Sequence, residues 1–125
     1  MGYTKTEIKY KILKLNNKKK DYNKDLSDYN SASGYVDKVI NGLTTCSNSL
    51  ETSSRNLKTS FKIDGTSADN GKISEVKGAV ESCLNDLRNT VRANIKTNIS
   101  NLEKSIKEVE KEIKYWNEEL KKLEE

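Results

Sequence analysis

Two cysteines, Cys46 and Cys83, are the residues of this 125-residue chain with the most distinctive chemistry. Thiols can pair as a disulfide, bind soft metals or act as nucleophiles. Two of them alone do not complete a zinc site, and histidine is absent. The commonest general base and the commonest metal ligand are therefore both missing. The carboxylates are spread along the chain and converge on no pocket the sequence indicates. These observations argue against an enzyme and imply no cofactor and no metal. What remains for the cysteines is a structural role. They are either a possible disulfide or two separate buried thiols that pack as small hydrophobes.

The elements that would position them follow from hydrophobic spacing. Apolar and small residues recur at 3-4 spacing through Ile8, Ile12, Leu15, Lys19, Tyr22, Leu26, Tyr29, Ser33, Val36, Ile40, Leu43, Ser47, Leu50, Ser54, Leu57 and Phe61. A second grid runs through Ile99, Leu102, Ile106, Val109, Ile113, Trp116, Leu120 and Leu123. This is the pattern of helices packed along a narrow seam. Between the grids, Phe61–Gly71 concentrates turn residues, with Gly65 suited to a helix C-terminus and Thr66, Ser67, Asp69 and Asn70 able to cap the next helix. The expected fold is all-α, a single domain over 1–125. It is a long antiparallel two-helix hairpin, with helix 1 over about 4–63, a turn at about 64–68 and helix 2 over about 69–123. Thr4 with Glu7 reads as a capping box at the first helix start. At 1.5 Å per residue each arm would be roughly 75–80 Å long, giving a rod. The turn also lies midway between Cys46 and Cys83, so an antiparallel register brings the two close across the arms.

The seam is expected to be irregular in helix 2. It opens with Ile73, Val76, Val80 and Cys83 or Leu84 and continues through Leu87, Val91 and Ile95 to Ile99. The resulting run of four-residue steps departs from strict heptads and should locally unwind the supercoil. In helix 1, Asn30–Gly34 and Thr44–Ser49 are weak helix formers. They read as kinks, plain helix, or faces that a partner approaches closely.

Composition narrows the function. Apolar residues make up 33% of the chain and charged residues 34%, which suits a thin stripe better than a globular core. Proline is absent, so very long helices are permitted. No apolar run is long enough for a membrane span and no signal-peptide core follows Met1, so the expectation is a soluble, cytoplasmic protein. The net charge of +4 sits in the first half, but the Lys18-Lys19-Lys20 run would lie beside the Glu-rich C-terminal segment in a hairpin. That argues against nucleic acid as the partner, even with Tyr22 near the basic run. Apolar residues off the seam, including Tyr10, Leu13, Tyr35, Val39, Ala79 and Tyr115, suggest a second stripe facing a partner, with Leu13, Tyr35, Val39 and Tyr115 as its candidates.

Size, the two-arm layout and the turn segment Phe61-Lys62-Ile63-Asp64-Gly65-Thr66-Ser67-Ala68-Asp69-Asn70-Gly71-Lys72 resemble a known group. It is the small helical-hairpin (WXG-type, YwqH-like) companion proteins of LXG toxins in the Gram-positive type VII secretion pathway. No Trp-x-Gly stands at the turn, and the only tryptophan is Trp116. The group's secretion motif, Tyr-x-x-x-Asp/Glu near the C-terminus, is matched by Tyr115 and Glu119, and the same spacing occurs at Tyr3 and Glu7. The resemblance implies a non-catalytic partner or targeting factor. It would bind the helical N-terminal region of an LXG toxin, with or without a second small helical protein, and support export without a cleaved signal peptide. The alternative is a cytosolic coiled-coil adaptor that self-associates, for instance as a homodimer.

Overall fold

The computed structural model describes the backbone of residues 2–60 and 66–124, and the side chains of 2–56 and 71–124. It is all-α. Helix α1 spans Lys5–Ser60, α2 spans Thr66–Asp86, a π-helical turn spans Leu87–Val91, and α3 spans Arg92–Glu124. No strand occurs among the described residues. Of the expected turn, residues 64 and 65 lie outside what is described, as do the seam residue Phe61 and the side chain of Leu57; residues 66–68 already belong to α2, as do the expected caps Asp69 and Asn70. The second arm begins at Thr66, a few residues earlier than expected.

Helix α1 starts where its cap stands. The Glu7 N–H donates to Thr4 Oγ1 at 3.2 Å, and the Ile8 N–H donates to the Thr4 carbonyl at 3.0 Å. This satisfies donors that a helix start otherwise leaves open. The helix then runs unbroken through Gly34 and Gly42. Its weak middle contains threonines whose hydroxyls are satisfied within the helix. Thr44, Thr45 and Thr52 donate their hydroxyls to the carbonyls four residues back, at 2.8, 3.0 and 3.1 Å. That pairing keeps otherwise competing side chains compatible with the helix.

The chain divides into two compact units. Unit 1 is Met1–Ser31 with Lys96–Glu125, and unit 2 is Ala32–Ile95. In unit 1, Lys5 bonds Glu124 at 3.6 Å and Lys19 bonds Glu110 at 3.2 Å. In unit 2, the Arg92 guanidinium bonds the Asp37 carboxylate and Lys77 bonds Glu51 at 3.6 Å. The position numbers of these pairs add to 128 or 129, so each unit is an antiparallel helix pair. The Lys19–Glu110 bond sets the basic run of unit 1 against the acidic end of α3, as the hairpin reading expected.

The α1 grid is borne out position by position. Every expected seam residue from Ile8 to Ser54 is buried or half-buried. The core itself is thin. Among the described residues only Ile8, Ile40, Leu84 and Val109 are buried apolar residues, joined by the polar Ser47 at 7% exposure.

The second arm departs from expectation in an informative way. Its seam positions, each half-buried or buried, are Ile73, Lys77, Val80, Leu84 and Leu87, then Arg92, Ile95, Ile99, Leu102, Ile106, Val109, Ile113, Trp116 and Leu120. The spacing is 3-4 throughout except for one five-residue step, Leu87 to Arg92, which coincides with the π-turn. The Arg92 N–H donates to the Leu87 carbonyl, five residues back. The run of fours in the sequence is thus one surplus residue. A π-turn takes up such a residue and lets regular heptads resume. Val76 and Val91, expected on the seam, are instead 51% and 39% exposed, and Leu123 is exposed at the helix end. Lys77 and Arg92 take the seam places of the two valines because long charged side chains can lay their stems along the seam and keep their heads in water.

Candidate partner-binding surface

In unit 2 the two flanks of the seam differ in chemistry. Residues that follow a seam residue form one flank, and residues that precede one form the other. In an antiparallel pair, like flanks face each other. The following flank is polar and bonded. Arg88 donates to Thr44 Oγ1 at 3.3 Å, Arg92 Nε donates to Asp37 Oδ1 at 3.2 Å, and Lys77 bridges Glu51 and Glu81 at 3.6 and 3.8 Å. An open groove of about 300 Å³ lies here, lined by Thr44, Ser47, Asn48, Glu81, Leu84, Asn85 and Arg88.

The preceding flank carries Tyr35, Val39, Gly42, Cys46, Ser49 and Ser53 on α1, and Val76, Ala79, Cys83 and Val91 on the second arm. Asp86 is its one charge between these limits. Residues 39–50 hold no charge at all, in a chain that is one-third charged. The ten residues named on this flank, from Tyr35 to Val91, are all exposed. Tyr35 stands out at 68% exposure, with the Lys38 ammonium 5.7 Å from its ring centre. The flank is therefore a weakly apolar strip with glycine and small side chains, a texture that lets another helix approach closely.

Of the four residues singled out in the sequence, Tyr35 and Val39 stand together on this strip, four residues apart on one face. Leu13 and Tyr115 belong to unit 1 and lie on opposite flanks of its seam, so they do not form one stripe. Leu13 is exposed and follows Ile12; Tyr115 is exposed and precedes Trp116. The sequence reading missed Val76 and Val91 as strip residues because it placed them in the seam. The signal that finds them is the five-residue step, which moves both seam places by one.

Unit 1 gathers aromatic rings at the start of α1 and the end of α3. Trp116 makes edge-on contacts with Tyr3 at 5.1 Å and with Tyr115 at 4.9 Å between ring centres. The Lys11 ammonium lies 4.6 Å from the Tyr3 ring and 5.2 Å from the Trp116 ring. Such cation–aromatic contacts anchor the chain start to α3. Trp116 is half-buried on the seam, as its spacing required. Of the pair that matches the secretion motif, Tyr115 is exposed and Glu119 is half-buried. Glu119 accepts a hydrogen bond from Lys122 Nζ at 2.9 Å. That bond and the carboxylate's charge hold the Lys122 ammonium above its ordinary pKa. In the basic run, Lys18 lies 5.9 Å from the Tyr22 ring while Lys19 is committed to Glu110.

The cysteines are free thiols and both are exposed. The buried-thiol expectation is therefore corrected: each cysteine stands one place before the buried residue, Ser47 or Leu84, and so faces outward from the seam.

Among the described residues no helix is long and apolar enough to cross a membrane. Comparison with protein-family models, with curated proteins and with solved structures returned no match.

Proposed function

We propose that this chain is a non-catalytic helical partner that binds the helical N-terminal region of a type VII-secreted LXG toxin and supports its export. The observation that carries the binding part is the exposed flank of unit 2, on which Asp86 is the one charge between Val76 and Val91. A third of the chain's residues are charged, yet on this flank they are nearly absent, and the opposite flank holds the ion pairs. An isolated helix pair would gain solubility from charges on both flanks. Leaving one flank bare makes sense when another helix covers it, with Tyr35, Val39, Val76 and Val91 supplying apolar contact and Gly42 and Ala79 allowing close approach. The toxin and the export route are inferred from the turn-segment resemblance and from Tyr115 with Glu119.

Co-expression with the helical N-terminal segment of an LXG toxin encoded beside the chain, followed by affinity purification, tests the reading. A stoichiometric complex is expected, and Val39→Glu should abolish it while leaving the circular dichroism spectrum unchanged. Failure to form any complex, together with sedimentation of the chain alone as a stable dimer through the same flank, would support the self-associating adaptor instead.

A further inference from the structure

We infer that Cys46 and Cys83 are a redox-closed staple across the two helices of unit 2. The inference concerns the chain alone and does not depend on any partner. Three observations lead to it.

The first is register. The inter-helix ion pairs of unit 2 join positions whose numbers add to 128 or 129, and Cys46 and Cys83 add to 129. They occupy equivalent places, each immediately before a seam residue, so this register sets them opposite each other on the charge-poor flank. The second is access. Both thiols are free and exposed, so a small disulfide can reach either sulfur. The third is the small residue at the seam beside Cys46. A disulfide needs Cα atoms within about 7 Å. The seam residue beside Cys46 is Ser47, whose small side chain favours the near end of the helix–helix spacing range, about 8 Å between axes.

The oxidant class is a small disulfide such as oxidised glutathione. The thiolate of one cysteine attacks the glutathione disulfide, forms a mixed disulfide and releases one glutathione thiolate. The second cysteine, as its thiolate, then attacks the protein-side sulfur and displaces the second glutathione. The protein loses two protons and two electrons, and oxidised glutathione is reduced to two thiols. The register favours the second step over a further mixed disulfide, because the facing thiol is held at a high effective concentration.

The test uses the full chain incubated with excess oxidised glutathione without denaturant, quenched with acid and weighed intact. The expected product is a monomer lighter by two hydrogens and carrying no glutathione. Its melting midpoint should rise by about 10–20 °C, because the bond closes a loop of 36 intervening residues. Reductant should reverse both changes. Cys46→Ser and Cys83→Ser should each stop at one bound glutathione, with circular dichroism confirming that the helices remain. A chain bearing two glutathiones, or a disulfide-linked dimer as the main product, would overturn the inference.

Discussion

Replacing Gly34, Gly42 and Gly78 by alanine together should raise the thermal stability of the chain. All three lie inside helices, none has positive φ, and a Cβ built at each meets no atom within 4 Å. The folded chain therefore accepts the methyl groups without strain. Each substitution removes the helix penalty of glycine, about 1 kcal/mol relative to alanine at an interior position. The sites share no partner, so the effects should add to roughly 2–3 kcal/mol. For a chain of this length that corresponds to a rise in Tm of about 6–12 °C. Thermal melts followed by circular dichroism at 222 nm, at one fixed protein concentration, provide the reading. A rise of less than about 2 °C would refute the reasoning, since it would mean that the glycines are not in regular helix in solution. A specific loss from Gly42→Ala alone would show that the isolated chain already covers its charge-poor flank. The same substitution in the presence of a bound helical partner should instead weaken the complex.

Three further outcomes follow from the seam. Leu84→Ala should cost about 2–4 kcal/mol in chemical denaturation, whereas Tyr35→Ala should stay within about 0.5 kcal/mol, because Leu84 is buried in the seam and Tyr35 faces water. Arg92→Leu should stabilise by about 1 kcal/mol, because it puts an apolar group in the seam and leaves Asp37 with half of its side chain in water. Deleting Thr90 should be tolerated within about 1 kcal/mol, because it removes the surplus residue. Deleting Glu103 should cost at least about 3 kcal/mol, because it throws the seam of α3 out of phase with regular heptads, as paired urea titrations would show.

Much of this fold is legible in residue spacing. Helix α1 has a cap at Thr4, no proline and an unbroken 3-4 grid, and burial follows the grid closely even through the weak helix formers of Asn30–Gly34 and Thr44–Ser49. The second arm was legible in outline, and its run of four-residue steps announced a surplus residue. Spacing alone leaves two ways to absorb that residue: a slow unwinding over several turns, or one local π-turn. The choice rests on which side chains enter the seam, and hydrophobicity ranks Val76 and Val91 above Lys77 and Arg92. The structure places the charged pair there, with the acidic Glu51, Glu81 and Asp37 at their tips. The sidedness of unit 2 was hidden for the same reason: until the seam is placed correctly, the two flanks cannot be told apart. Once it is placed, Val39, Gly42, Cys46 and Ser49 of the charge-free stretch fall on one flank.

The π-turn has a consequence for how the molecule opens. Its amides reach back five residues instead of four, and regular helix begins again on either side. Helix opening in the second arm should therefore start in this turn and stop at its borders. Amide protons of Leu87–Arg92 should exchange with deuterium sooner than those of Leu84 or Ile95, leaving a notch in an otherwise continuous band of protection. The surplus residue would then mark a built-in weak point, one at which the second arm can breathe without losing the phase of either neighbouring helix.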